Sequence, residues 1–319
     1  MGLYTREAKI FVNEHHDNCS VCGRCFIKNE TTHIGLDANG GFVYVGDCCK
    51  DKIKTLICNH AYCVRGYSLP NPQSKLWRFM DLGKFLSLIQ SNSLYFARAD
   101  MFEDPFEGAK GIKSNQAYWE AWYAGCFWAI IEQTKEMDGR GNHKDDSLES
   151  AKRLVRELTE NESRSRQMTY INCWHENDFE SEAMWNLYTN NLDEGIAIQT
   201  TYERIYEAID KDPTIAIGKV KYIDYANQYA GLGINAFFYK RKSFEHEKEV
   251  RLILSKYSCS DKKTPLGIEK HVDLDRLIEK IYVSPTCKPW YYKVISDVLE
   301  KYNIKAKLCK SNLCVSPFY

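Results

Sequence analysis

Apolar positions along the chain change their period several times, and each change marks an element. Leu76-Trp77-Arg78-Phe79 and Leu94-Tyr95-Phe96-Ala97 read as short strands around a helix over 82–90. Tyr118 to Ile131 reads as an aromatic-rich helix, and the charged stretch 135–168 as a solvated helical excursion. Strands then dominate, at 169–174, 195–199, 218–222, 250–255 and 280–283, with helices at 183–188, 201–209 and 290–302. Ser68-Leu-Pro70-Asn-Pro72-Gln-Ser74 is a polar stretch punctuated by proline, which sets a domain boundary there. The expectation is an α+β protein: a small module over 1–68 and a larger domain over 69–319.

Cysteine usage separates the two parts further. Seven of thirteen cysteines fall in the first 63 residues, as Cys19-x2-Cys22-x2-Cys25, Cys48-Cys49 and Cys58-x-His60-x2-Cys63. The opening MGLYTREAKI has no apolar core of the kind a secretory signal needs, and no run of 18 apolar residues occurs. A cytoplasmic location is therefore expected, with no membrane partner. Thiols there stay reduced, so clustered cysteines read as metal ligands before disulfides. A two-residue gap lets Cys19 and Cys22 reach one tetrahedral ion.

Phe26-Ile27 and Phe42 to Val45 are expected to form a hairpin about Asn39-Gly40-Gly41, followed by a short helix over 50–57. This order resembles a treble-clef zinc finger. The vicinal Cys48-Cys49 departs from the usual spaced pair. Cys58, His60 and Cys63 are therefore further candidate ligands, with Cys25 behind them. One structural Zn2+ is expected, and the ligand count also allows two.

Charge narrows the function classes little. Lys plus Arg equals Asp plus Glu, at 43 each, and residues 1–68 carry eight basic against seven acidic side chains. No broad field draws a polyanion, so any phosphate-binding patch is local. Walker, dinucleotide-fold, GxSxG and HExxH patterns are all absent from the sequence. The candidate chemistry lies elsewhere. In Phe244-Glu-His-Glu-Lys-Glu249-Val-Arg251, strand periodicity puts Glu245, Glu247, Glu249 and Arg251 on one face, where like charges need a cation or a substrate among them. Lys240-Arg241-Lys242 lies just before it. Arg78 interrupts an apolar strand, and such a charge must be paired or face a cleft.

Taken as a series, Leu76-Trp-Arg-Phe79, Leu94-Tyr-Phe-Ala97, Asp104-Pro-Phe-Glu-Gly108, Cys173-Trp-His175, Met184-Trp185, Lys240-Arg241 with Phe244-x2-Glu247-x-Glu249-x-Arg251, and Ile281-Tyr-Val-Ser-Pro285 resemble a bacterial DUF-type family. That layout in turn resembles the ADP-ribosyltransferase fold, with its split mixed β core and helices, an E-x-E element at Glu247-Lys-Glu249 and an arginine on the first core strand. Cys173-Trp174-His175 lacks the Ser-Thr-Ser of one branch of that family, and Tyr95 is similar to a feature of another. The resemblance implies NAD as co-substrate, with Glu249 at the ribose and Glu247 acting on the acceptor. It also implies Arg78, Tyr95, Trp174, His175 and Trp185 around the dinucleotide. It further implies a toxin or phage-defence effector modifying nucleic acid (RNA before DNA) or protein, with an antitoxin or regulator as partner. Two competing readings are a non-catalytic zinc-finger adaptor for nucleic acid or protein, and a nucleic-acid hydrolase.

Overall fold

A computed structural model describes residues 19, 22, 31–36, 42–52, 54–55, 61–62, 67–137, 147–189, 192–212, 214–231, 233–255 and 264–319. The chain forms two compact units: 1–67 with 104–168 and 223–239, and 68–103 with 169–222 and 240–319.

The second unit is built on a nine-stranded mixed sheet. Its strands are β1 (Lys75–Met80), β2 (Ser93–Arg98), β3 (Thr169–Glu176), β4 (Ile196–Thr201), β5 (Ile215–Lys219), β6 (Glu249–Ser255), β7 (Gly267–His271), β8 (Lys280–Val283) and β9 (Lys307–Lys310). Its helices are α1 (Leu82–Ser91), α2 (Glu182–Tyr188), α3 (Tyr202–Ala208), α4 (Leu274–Leu277) and α5 (Pro289–Lys301). The order is β7-β2-β3-β1-β4-β8-β9, with β6 on the other edge of β3 and β5 beyond β6. All these pairs are antiparallel except β8–β9.

The pairing of β3 positions the side chains at the centre of the sheet. Along one edge β3 pairs continuously with β6, from Glu249↔His175 to Ser255↔Thr169. Its other edge is shared: Ile171 and Tyr170 pair with β2, whereas His175 and Glu176 pair with β1. Between them, at Asn172 to Trp174, the sheet forks. Side chains fill the gap. The Asn172 amide donates to the Tyr95 carbonyl at 2.8 Å, and Arg78 Nη1 donates to the Cys173 carbonyl at 3.3 Å. A buried backbone carbonyl needs such a donor once its ladder partner is gone.

An apolar core covers one side, with Leu76, Met80, Phe85, Leu94, Phe96, Tyr170, Trp174, Val250 and Leu252 among its members. A second cluster joins Trp77, Phe79, Met184, Trp185, Ala197 and Tyr282. β7 (GIEKH) and β9 (KLCK) escape sequence reading because they are polar edge strands without an apolar run.

In the first unit, the strands Thr31–Leu36 and Phe42–Gly46 form an antiparallel pair, from Leu36↔Phe42 to Thr32↔Gly46. Phe26 and Ile27 lie outside the described residues. The short helix expected over 50–57 is replaced by one 3-10 turn, Lys50–Lys52, and a strand, Lys54–Thr55, paired to residues 35–36. The β-branched Thr55 favours extended backbone there. Helix 116–137 packs on helix 147–168 through Trp119, Ala124 and Val155. In Asp104-Pro-Phe-Glu-Gly108 the glycine has φ +71°, and a Cβ there would stand 2.5 Å from the Phe237 ring. Only glycine fits that position.

Candidate functional site

β6 starts at Glu249, four residues later than a charge alternation running from Glu245 suggests. Residues 242–247 form a 3-10 helix, and Lys248 then turns through a left-handed conformation (φ 41°) before the strand begins at Glu249. The alternation expected from Glu245 onward therefore breaks at Lys248. Glu245 is exposed, whereas Glu247 and Glu249 are both buried.

The two buried carboxylates meet one cation. Lys240 Nζ donates to Glu247 Oε2 at 2.6 Å and to Glu249 Oε1 at 2.7 Å. Arg251, fully buried, holds the other oxygen of Glu249 through Nε. The Glu249 backbone N–H donates to the Tyr222 hydroxyl at 2.7 Å, which fixes the start of the strand.

Burial and the neighbouring Glu249 carboxylate push the Glu247 carboxyl up to about 7, against the pull of Lys240. Burial opposes ionisation of Glu249 as well, but there Arg251, Glu247 and Lys240 outweigh it and hold the group far below the carboxylate range. The pair thus consists of a fixed anion beside a group that titrates near neutrality. Environments that drive two carboxyls apart in this way are how acid–base roles are divided in enzyme sites.

Cross-strand pairing puts His175 beside Glu249 and Cys173 beside Arg251 on one face of the sheet. His175 is buried, and its Nδ1 donates to the Glu247 carbonyl at 2.6 Å. That bond fixes the tautomer, and burial lowers the ring's basicity, so Nε2 carries a lone pair; it is buried with no hydrogen-bond partner. Tyr188 ends α2, and its hydroxyl interacts electrostatically with Glu247, Glu249 and Cys173. Loss of water and the two carboxylates keep that phenol protonated well past its usual range.

Arg78 is rooted among Leu76, Met80 and Trp174, on the face opposite the carboxylates. Its guanidinium reaches the fork, 5.8 Å from the Trp174 ring centroid, and interacts with Cys173 and Tyr188. Burial depresses its proton affinity. Among the described residues Arg78 forms no ion pair, and its one hydrogen bond goes to the Cys173 carbonyl. A desolvated cation with spare N–H groups and no counter-charge is equipped to take an anion.

The other sequence candidates are dispersed. Trp174 lies in the core with its Nε1 bonded to Asn172 Oδ1, and Trp185 is fully buried against Phe79 and Gly195. Tyr95 is half exposed on β2, its ring over Gly267 of β7. Lys240, Tyr188 and Tyr222 join the site instead. Only Lys240 carried a local signal, its basic neighbours Arg241 and Lys242. Tyr188, three residues after Trp185, reads as core by helical spacing.

A separate cluster lies in the first unit. The Sγ atoms of Cys19, Cys22, Cys48 and Cys49 all lie within 4.8 Å of one another, with Cys22 and Cys48 3.6 Å apart. Four thiolates around a tetrahedral zinc at 2.3 Å stand about 3.8 Å apart, so this donor set fits the ion. Both vicinal cysteines belong to the set, Cys49 buried and Cys48 exposed. Burial and the surrounding thiols push the Cys49 thiol up to about 12, the response of packed sulfurs whose charge nothing compensates. Cys25, Cys58, His60 and Cys63 lie outside the described residues.

Neither a protein-family model nor a curated protein matches the chain. A solved structure of DarT from Thermus sp. 2.9, in complex with ADP-ribosylated ssDNA, is similar over 78% of this chain and 99% of that one. Its identity is 7% and the TM-score 0.35, a likeness too slight to carry an argument about fold or chemistry. Among the described residues, no helix is long and apolar enough to cross a membrane.

Proposed function

We propose that the protein is an NAD-dependent ADP-ribosyltransferase whose reaction is carried by Glu247 and Glu249 at the forked sheet. The observation that supports this most is the adjacent buried carboxylate pair, one fixed as an anion by Lys240 and Arg251, the other poised near neutral pH.

The division suits substitution at a glycosidic carbon. The bond from ribose C1′ to nicotinamide breaks, nicotinamide leaves as a neutral base, and C1′ passes through an oxocarbenium-like state. Glu249 supplies fixed negative charge beside that centre. As the acceptor's oxygen or nitrogen bonds to C1′, Glu247 takes its proton. Arg78 holds a pyrophosphate oxygen. Tyr188, protonated throughout, donates a hydrogen bond to the substrate. The metal module takes a structural zinc on Cys19, Cys22, Cys48 and Cys49, a closed set without an open position for catalysis.

The test is incubation of zinc-loaded protein with labelled NAD and RNA, DNA or cell extract, beside Glu249→Gln and Arg78→Met. Nicotinamide release and label transfer are expected from the wild type. Glu249→Gln should lose at least a hundredfold in kcat, whereas Arg78→Met should mainly raise KM for NAD. No release and no transfer from folded wild type, with any acceptor, sinks the reading.

A further inference from the structure

Helix 116–137 exposes an uncharged face. Tyr118, Trp122 and Trp128 are 79%, 59% and 47% exposed, and Ala117, Ala121 and Gly125 are exposed between them. A Cβ built on Gly125 meets nothing within 4 Å. The opposite side, through Trp119 and Ala124, is already packed against Val155 of helix 147–168. A solvated face normally carries charge. Among the described residues of the helix, all six exposed positions carry none.

The spacing of this face is symmetric. Tyr118, Ala121, Gly125 and Trp128 follow in steps of three, four and three, and their order is large, small, small, large. Such a seam reads the same from either end, which is the condition for a two-fold contact between identical antiparallel helices. Tyr118 then lies opposite Trp128 of the second copy, and Ala121 opposite its Gly125, where small side chains let the backbones approach.

Charge selects the same arrangement. Lys113 precedes the helix and Glu132 lies in its last turns. An antiparallel partner brings each lysine near the other copy's glutamate, whereas a parallel one opposes like charges. Within 116–137 three glutamates (120, 132, 136) stand against one lysine (135), which repels phosphate and disfavours a nucleic acid on this face. Covering three aromatics and three small residues on each copy buries on the order of 1,000 Å², enough for a specific contact.

We infer that this face of helix 116–137 is a homodimer interface, an antiparallel seam of Tyr118, Ala121, Trp122, Gly125 and Trp128 against its own copy. Sedimentation of the full zinc-loaded chain from about 1 to about 100 µM tests it. A rise from 37.1 kDa to twice that mass is expected. Gly125→Glu should weaken association about a hundredfold while the chain still folds and melts cooperatively, since a Cβ there meets nothing within 4 Å and glutamate is a better helix former than glycine. Lys113→Glu and Glu132→Lys should each weaken it, and the double variant should recover it. A monomer throughout the range overturns the inference, as does a dimer indifferent to Gly125→Glu. Retention of a single-stranded oligonucleotide that Trp122→Ala abolishes, without self-association, also overturns it and assigns the face to nucleic acid.

Discussion

Glu247 and Glu249 are two residues apart, yet their proton affinities move in opposite directions. Glu247 titrates near 7 in the fold against an ordinary 4.5, so between those values the native state holds a proton that the unfolded chain has lost. Its contribution therefore falls as pH rises through that window. Glu249 behaves oppositely: its stabilisation is present above its ordinary value and is lost as pH falls. Denaturant midpoints at pH 5 and 7.5 should show the decline in wild type and a smaller one in Glu247→Gln. If Glu247 is the base, kcat/KM for NAD rises with pH to a plateau above about 7. Lys240→Gln removes the charge that pulls Glu247 down and should move that inflection to higher pH. An unmoved inflection assigns the titration to another group.

At the scale of elements, the 3-10 helix, the left-handed Lys248 and the start of β6 form one device. It turns Glu247 and Glu249 toward the same ammonium, which an uninterrupted strand also does by simple alternation. The geometry differs in what it excludes. Glu245 is turned out to solvent, and the Glu247 carbonyl is presented to His175. Lys248→Val places a β-branched residue at φ 41° and should cost on the order of 1–2 kcal/mol in chemical denaturation, whereas Lys248→Gly should be tolerated. Equal losses for both indicate that the Lys248 side chain, not its backbone, matters. The glutamates themselves were legible in the sequence as a charge cluster. The turn was not, because nothing in His246-Glu-Lys-Glu249 marks a left-handed residue in the way glycine does.

For the whole molecule, four cysteines drawn from two places 26 or more residues apart in sequence form one donor set, and the proposed zinc on it would couple metal binding to the fold. Zinc content near one per chain is expected in protein purified without chelators, and near zero in Cys22→Ser. Chelation should lower the thermal stability of wild type and leave Cys22→Ser unchanged, because metal binding supplies folding energy to a module of this kind. A wild type that melts at the same temperature with and without chelator removes the metal from the folding of this unit.

Much of the alternation of strands and helices in the second unit followed from hydrophobic period alone. β1, β2, β6 and β8 are short apolar runs, and α1 and α5 show helical spacing, the first opened by the Asp81 cap and the second by Pro289. Cysteine clustering, likewise local, pointed to Cys19, Cys22, Cys48, Cys49, Cys58, His60 and Cys63 without choosing among them, and the structure brings the first four together. What the sequence could not contain was which edges pair. Register depends on contacts among segments as distant in sequence as Ser93 and His271, and a fork in β3 has no signature within β3 itself. Only the tertiary structure left the Cys173 carbonyl to Arg78, buried Trp174 and Trp185 in packed clusters, and brought Lys240, Tyr188 and Tyr222 to the carboxylates. Residue types set what chemistry was available; burial and the charges brought alongside decided which carboxyl is fixed and which titrates.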